Sequence, residues 1–126
     1  MPNPIPDLPA SVLSIQATYA EMIREVQSGL SKFYDGHPIT PQMAILIACI
    51  GDQTLRPSDL FRLGYFIGTN ASYNLRTLES AGLIRRLPVP GDRRQSLIAL
   101  THHGIELSAS LRRWLSAKIY DAKEAA

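Results

Sequence analysis

The chain has 126 residues, of which 45% are hydrophobic and 19% charged, and its formal net charge is +2. This composition predicts one compact globular domain and excludes a disordered protein, because enough apolar side chains are present to offset the loss of chain entropy on folding. The longest apolar run, residues 43–50, is too short for a spanning helix, and the first ten residues do not form a secretory signal. Because the single cysteine, Cys49, has no partner for an internal disulfide, we expect a cytoplasmic protein.

The first part of the chain predicts an extended arm followed by two helices. Four prolines within the first nine residues favour the extended arm. Apolar residues then recur every three or four positions from Leu8 to Phe33, which predicts one long amphipathic helix. Thr40 and Pro41 have the residue types of an N-cap and a first helical position, and the apolar sequence that follows predicts a buried helix up to Gly51.

Two shorter helices are predicted next. Residues 56–59 open a third helix, with Asp59 near its positive N-terminal end. Thr69 caps a fourth helix that runs from Asn70 to about Ala81, where a glycine follows. The fourth helix has one apolar face and one polar face, so it can dock on its own domain and still present polar groups.

A hairpin and a last helix complete the predicted order. Residues 83–87 and 96–100 have the composition of two strands, and the proline and glycine residues between them predict a loop over residues 88–95. Thr101 caps the last helix, which carries another apolar stripe. Four helices, a hairpin and a helix describe a mainly α fold with a small β-hairpin wing (α+β), the winged helix-turn-helix.

Positive charge is concentrated in the middle of the chain. Residues 53–101 hold seven basic and three acidic residues, a balance of +4, whereas the remainder holds six basic and eight acidic residues, or −2, which together give +2. All seven basic residues are arginines, which form forked hydrogen bonds with phosphates and base edges. The charge favours a nucleic-acid partner, and an ordinary solvated surface is the alternative.

The polar face of the fourth helix and the basic hairpin predict contacts with double-stranded DNA. A helix of this kind reads base edges in a major groove, and an arginine on a projecting wing enters a narrow minor groove. The predicted contacts of the recognition helix are Thr69, Asn70, Ser72, Tyr73 and Arg76. The predicted contacts of the wing are Arg86, Arg93 and Arg94, and Asp92 is expected to orient an arginine by a charge-assisted hydrogen bond. Because Arg85 and Arg86 alternate along a strand, at most one faces DNA and the other pairs internally, with Asp92 or Glu79 as candidates.

Residues 56–104 resemble the multiple-antibiotic-resistance regulator (MarR) family of bacterial winged-helix transcription factors. The resemblance rests on the segments 69–72 (TNAS), 78–86 (LESAGLIRR), 92–94 (DRR) and 99–104 (ALTHHG). It implies a homodimer in which the first and last helices of each subunit interlock. It also implies recognition helices in successive major grooves and the arginine at position 94 in the minor groove.

The long first helix predicts a homodimer independently of that resemblance. Its apolar stripe has more surface than the core of one small domain covers, which favours a partner chain. The alternative is that the first helix packs against the last helix of the same chain. The predicted dimer contacts are Val12, Ile15, Tyr19, Leu111, Leu115 and Ile119. We therefore divide the single domain into an arm and dimerisation helix (1–38), a DNA-binding region (39–101) and a C-terminal dimerisation helix (102–126).

The sequence predicts a sequence-specific DNA-binding regulator, a homodimeric repressor on a palindromic operator, associated with the bacterial nucleoid when bound. A protein-binding winged helix without DNA reading is the rival, and a ligand-gated sensor is a third possibility, although no effector is indicated. No catalytic or phosphate-loop motif is present, so we expect neither an enzyme nor a cofactor. Cys49 is expected in the core rather than as a redox sensor, and His102 and His103 lack the spacing of a metal site.

Overall fold

The structure is a computed structural model that describes residues 9–62 and 71–125, with the side chains of residues 61, 71 and 119–125 left out of the description. The elements, in chain order, are helices α1 (Ala10–Gly29), α2 (Pro41–Ile50), α3 (Pro57–Arg62) and α4 (Ala71–Ser80), strands β1 (Ile84–Val89) and β2 (Asp92–Leu100), and helix α5 (His102–Ala125). Thr69, Asn70 and the N-terminal arm up to Leu8 lie outside the described residues. Within the described ranges, no helix is both long and apolar enough to cross a membrane.

The first two helices follow the sequence closely. Helix α1 ends at Gly29, where a 3-10 turn over Leu30–Lys32 takes the place of the α-helix predicted to Phe33. Helix α2 begins as predicted, because the Thr40 Oγ1 accepts a hydrogen bond from the backbone N–H of Met43 at 3.2 Å. The prediction of its N-cap is therefore confirmed.

Helix α2 forms the centre of the core and packs against α5. The Ser108 hydroxyl donates to the carbonyl of Ala48 at 3.4 Å, and Arg112 donates to the same carbonyl through Nε at 2.5 Å. Arg112 also reaches the carbonyl of Cys49, so it satisfies free carbonyl groups at the end of α2. The fully buried side chains of the core include Leu46, Ile47, Ile50, Leu60, Leu78, Ile98 and Leu111.

The hairpin is longer and its loop shorter than the sequence pattern predicts. Strands β1 and β2 pair antiparallel and extend to a two-residue turn at Pro90–Gly91, so the predicted loop over residues 88–95 is wrong. Pro88 lies within β1 opposite Ser96, and the register shifts at the next residue, where Val89 pairs with Asp92. A two-stranded ribbon tolerates this proline because its missing N–H costs the ladder one bond at most.

A close approach joins the hairpin to the start of α5. The Thr101 Oγ1 accepts from the backbone N–H of Gly104 at 3.1 Å and its hydroxyl donates to the Gly82 carbonyl at 2.5 Å. The N-cap predicted at Thr101 is thus present, and it links α5 to the turn before β1. This junction holds the wing in a fixed position on the helical body.

We expect Gly104→Ala to destabilise the fold by about 1–3 kcal/mol. A Cβ at this position would overlap the backbone carbonyl oxygen of Leu83 and meet the Cβ of Leu100 at 3.1 Å. The same substitution at an open helical position stabilises by about 0.5–1 kcal/mol, so the sign of the change is diagnostic. Urea unfolding measures it, and a stabilised variant would refute the close approach.

Candidate nucleic-acid interface

Helix α4 divides its residues between the core and the surface as the pattern predicts. Leu75 and Leu78 are buried against the rest of the domain, and α4 packs beside β1. Ser72, Tyr73 and Arg76 lie on the exposed side, and Tyr73 keeps 60% of its surface accessible. An exposed aromatic ring next to an arginine on one helix face is suited to contact with a nucleic acid.

The wing arginines are exposed on strand β2 rather than on a loop. Arg93 and Arg94 lie two and three residues after the turn, and both are exposed. The carboxylate of Asp92 accepts a hydrogen bond from the backbone N–H of Arg94 at 2.9 Å. Asp92 therefore holds the backbone that carries Arg94, through a hydrogen bond to the main chain.

Arg86 has an internal partner. Its Nε donates to a carboxylate oxygen of Glu79 at 3.0 Å, which connects β1 to the end of α4. The sequence left open whether Arg85 or Arg86 pairs internally, and whether the partner is Asp92 or Glu79. In the structure Arg86 pairs with Glu79. The neighbouring Arg85 is exposed. Arg86 was predicted as a DNA contact, and in this structure its Nε is already engaged within the protomer.

The segment before α3 pairs with strand β2 of the hairpin through a single β-bridge. Leu55 and Ile98 exchange backbone hydrogen bonds, from the Leu55 N–H at 2.9 Å and from the Ile98 N–H at 2.6 Å. This pairing places Arg56 beside the wing, on the same side as Arg94. Sequence reasoning missed Arg56 as a functional residue, because the only local signal was its place in the excess of arginines.

The predicted dimer residues fall into two groups. Val12, Ile15 and Tyr19 lie along one face of α1 and remain 42%, 70% and 48% exposed. Leu111 is completely buried within this chain, so we assign it to the protomer's core instead of an interface, and Leu115 packs partly against the same core. The side chain of Ile119 lies outside the description.

Neither the cysteine nor the histidines form an evident reactive site in the described residues. Burial raises the pKa of the Cys49 thiol, and the nearby Arg112 opposes the shift without reversing it. No local pattern predicts this cation, because Arg112 lies 63 residues further along the chain. His102 contacts Glu106 at 2.9 Å, and the described part of the chain holds no group of three or more residues suited to a metal ion.

Known proteins resemble this chain in sequence over part of its length. No protein-family model matches it. It is 34% identical over 83 residues to the exopolysaccharide II synthesis transcriptional activator ExpG of Rhizobium meliloti (strain 1021). That alignment covers 66% of this chain and 42% of the relative, so the chain spans less than half of the curated relative that it matches.

Solved structures resemble the chain over most of its length. The S. aureus MepR–DNA complex has a TM-score of 0.73 at 22% identity, and the match covers 95% of this chain and 86% of that one. The apo form of wild-type MarR from E. coli has a TM-score of 0.64 at 25% identity, covering 84% and 76%. The predicted winged helix-turn-helix, mainly helical with a two-stranded wing, is confirmed.

Proposed function

Because the chain has the winged-helix fold of the MarR-family regulators, we propose that it binds double-stranded DNA and regulates transcription. The proposal assigns the protein no catalytic reaction and no cofactor. Its site of action is then the bacterial nucleoid in the cytoplasm. The relatives support this assignment, since MepR was solved as a complex with DNA and ExpG is named as a transcriptional activator.

The observation that carries the proposal is that two elements, helix α4 and strand β2, each expose polar and basic side chains. Helix α4 presents Tyr73 and Arg76, while strand β2 presents Arg93 and Arg94. A recognition helix and a wing on one surface reach a major groove and the adjacent minor groove together. In this proposal Ser72, Tyr73 and Arg76 contact base edges or phosphates, and Arg94 enters the minor groove. Thr69 and Asn70 keep the same predicted role at the start of that helix.

We further propose that the active form is a homodimer on a palindromic operator. The exposed apolar face of α1 supports it, because Ile15 and Tyr19 are uncovered within the protomer. A two-fold dimer places its two recognition helices in half-sites about one helical turn, or on the order of 10 base pairs, apart.

Repression by covering a promoter remains the proposed mode of regulation. ExpG is named as an activator, so the same type of domain also serves activation. The position of the operator relative to the promoter decides between the two. Transcription from a promoter carrying the selected operator measures the sign, and an increase with added protein would overturn repression while leaving DNA binding intact.

The proposed function is tested by selecting random DNA duplexes with the purified protein at near-physiological salt. The expected result is a palindrome with half-sites about one turn apart, bound with an affinity that falls steeply as salt rises. If the protein retains duplexes without sequence preference, its interaction with DNA is electrostatic only. The protein-binding winged helix would then be the better assignment.

A further inference from the structure

A basic groove lies between the hairpin and the start of α3, and no sequence motif predicts a binding site there. The groove has a volume of about 370 Å³. It is lined by Arg56, Pro57 and Ser58 from one segment, by Arg94, Gln95 and Ser96 from β2, and by Arg86 from β1. Among the described residues no acidic side chain lines it. Three arginines and three uncharged polar side chains around one opening form a site for an anion.

The geometry of the groove follows from the pairing between Leu55 and Ile98. Ser96 pairs with Pro88 and precedes Ile98 by two residues, and the register shift at the next position makes β2 irregular before Ser96. In this irregular stretch the consecutive residues Arg94, Gln95 and Ser96 all line the groove. The bridge holds the chain at Leu55 against that strand, and Arg56 follows it directly. The carboxylate of Asp59 then accepts from the backbone N–H of Arg56 at 3.0 Å, which fixes the main chain there.

The arginines of the groove have donors to spare. In the described part of the chain, the guanidinium groups of Arg56 and Arg94 form no ion pair, and Arg86 uses Nε for Glu79, leaving its two terminal nitrogens. A guanidinium fork matches the two free oxygens of a phosphodiester. Asp59 does not neutralise the groove, because its other oxygen pairs with Arg62 at 2.8 Å.

We propose that this groove binds a backbone phosphate of the operator DNA, with Arg56 as its principal ligand. The inference rests on the proposed function, since it names a further contact on the same DNA. The bound phosphate lies between α3 and the wing, so it fixes the position of the wing on the duplex. Arg56 therefore contributes affinity without reading the base sequence.

The test combines Arg56→Gln with duplexes in which single phosphates are replaced by neutral methylphosphonates. Arg56→Gln is expected to weaken binding to all duplexes alike, to lower the slope of log K against log salt by about 0.9 for each lost contact, and to leave the selected palindrome unchanged. In the wild-type protein, one methylphosphonate position in each half-site weakens binding by about threefold or more at moderate salt. In Arg56→Gln the same position has a smaller effect, because only Arg86 and Arg94 remain to contact that phosphate.

The matched control is Arg85→Gln, which removes the same charge from an exposed position of β1 that does not line the groove. It is expected to keep the sensitive phosphate. If that phosphate remains equally sensitive in Arg56→Gln, or if no phosphate is sensitive in the wild type, the groove proposal is overturned and sequence-specific binding stands. If the wild-type protein selects no duplex sequence, the proposed function itself fails, and the groove proposal fails with it.

Discussion

Ile15→Asp combined with Tyr19→Asp is expected to convert a dimer into monomers and to weaken operator binding by about 10²–10⁴-fold. Ile15 is 70% exposed within the protomer, and Tyr19 lies one turn further on the same face of α1. In a dimer, two aspartates on this face would lose their hydration against the partner chain and find no opposite charge there, which disfavours the dimer. A dimer binds its second half-site intramolecularly, and that advantage disappears with the interface.

Sedimentation measures the oligomeric state, and titration of a labelled operator measures the affinity. The matched control is Gln16→Asp with Gln27→Asp, which adds two aspartates to the same helix at positions about 60–120° around its axis from Ile15 and Tyr19. Both of these residues are exposed, so we expect the control to remain dimeric and to bind. A wild-type melting temperature that rises with protein concentration supports the dimer independently. A wild-type protein that sediments as a monomer contradicts it.

The helices were predictable because their signals are local. The Thr40 N-cap and the proline after it define the start of α2, and Thr101 defines the start of α5, from contacts within three residues. The apolar period places Leu75 and Leu78 on the buried side of α4 for the same reason. Local chemistry therefore determines where each helix begins and which side is apolar.

The periodicity does not tell which apolar stripe the protomer itself covers. Ile15 and Leu111 look alike in the sequence, since both belong to an apolar stripe on a long helix. In the structure Leu111 is fully buried, whereas Ile15 is largely exposed. The difference depends on the position of α2 against α5, which is a tertiary feature. For this reason Leu111 and Leu115 could not be separated from the dimer contacts in advance.

The long-range polar contacts were equally hidden. Arg112 contacts the end of α2 although it lies 64 residues further along the chain. The bridge between Leu55 and Ile98 is a single pair of residues, and Leu55 does not belong to a strand. Neither contact has a local pattern. Arg56 enters the candidate interface only through that bridge, so a search for motifs finds the wing arginines and overlooks it.

Arg94→Ala is expected to weaken operator binding by about 1–3 kcal/mol for each wing, and a dimer loses both contacts. The Arg94 guanidinium is exposed and forms no ion pair in the described part of the chain, while its backbone N–H is held by Asp92. The substitution therefore removes the proposed minor-groove contact and leaves the hairpin intact. Stability should change by less than about 0.5 kcal/mol, as at other exposed positions.

Two matched variants separate a minor-groove contact from a general effect of charge. Arg24→Ala removes an exposed arginine from α1, where its partner is Glu21, and is expected to bind the operator as the wild type does. Arg94→Lys keeps the charge but loses the fork and the weaker hydration that favour arginine in a narrow groove. It should therefore retain most of the salt dependence while losing preference at the base pairs beneath the wing. If Arg94→Ala binds the selected operator as tightly as the wild type, the wing does not contact DNA, and recognition must then come from α4 alone.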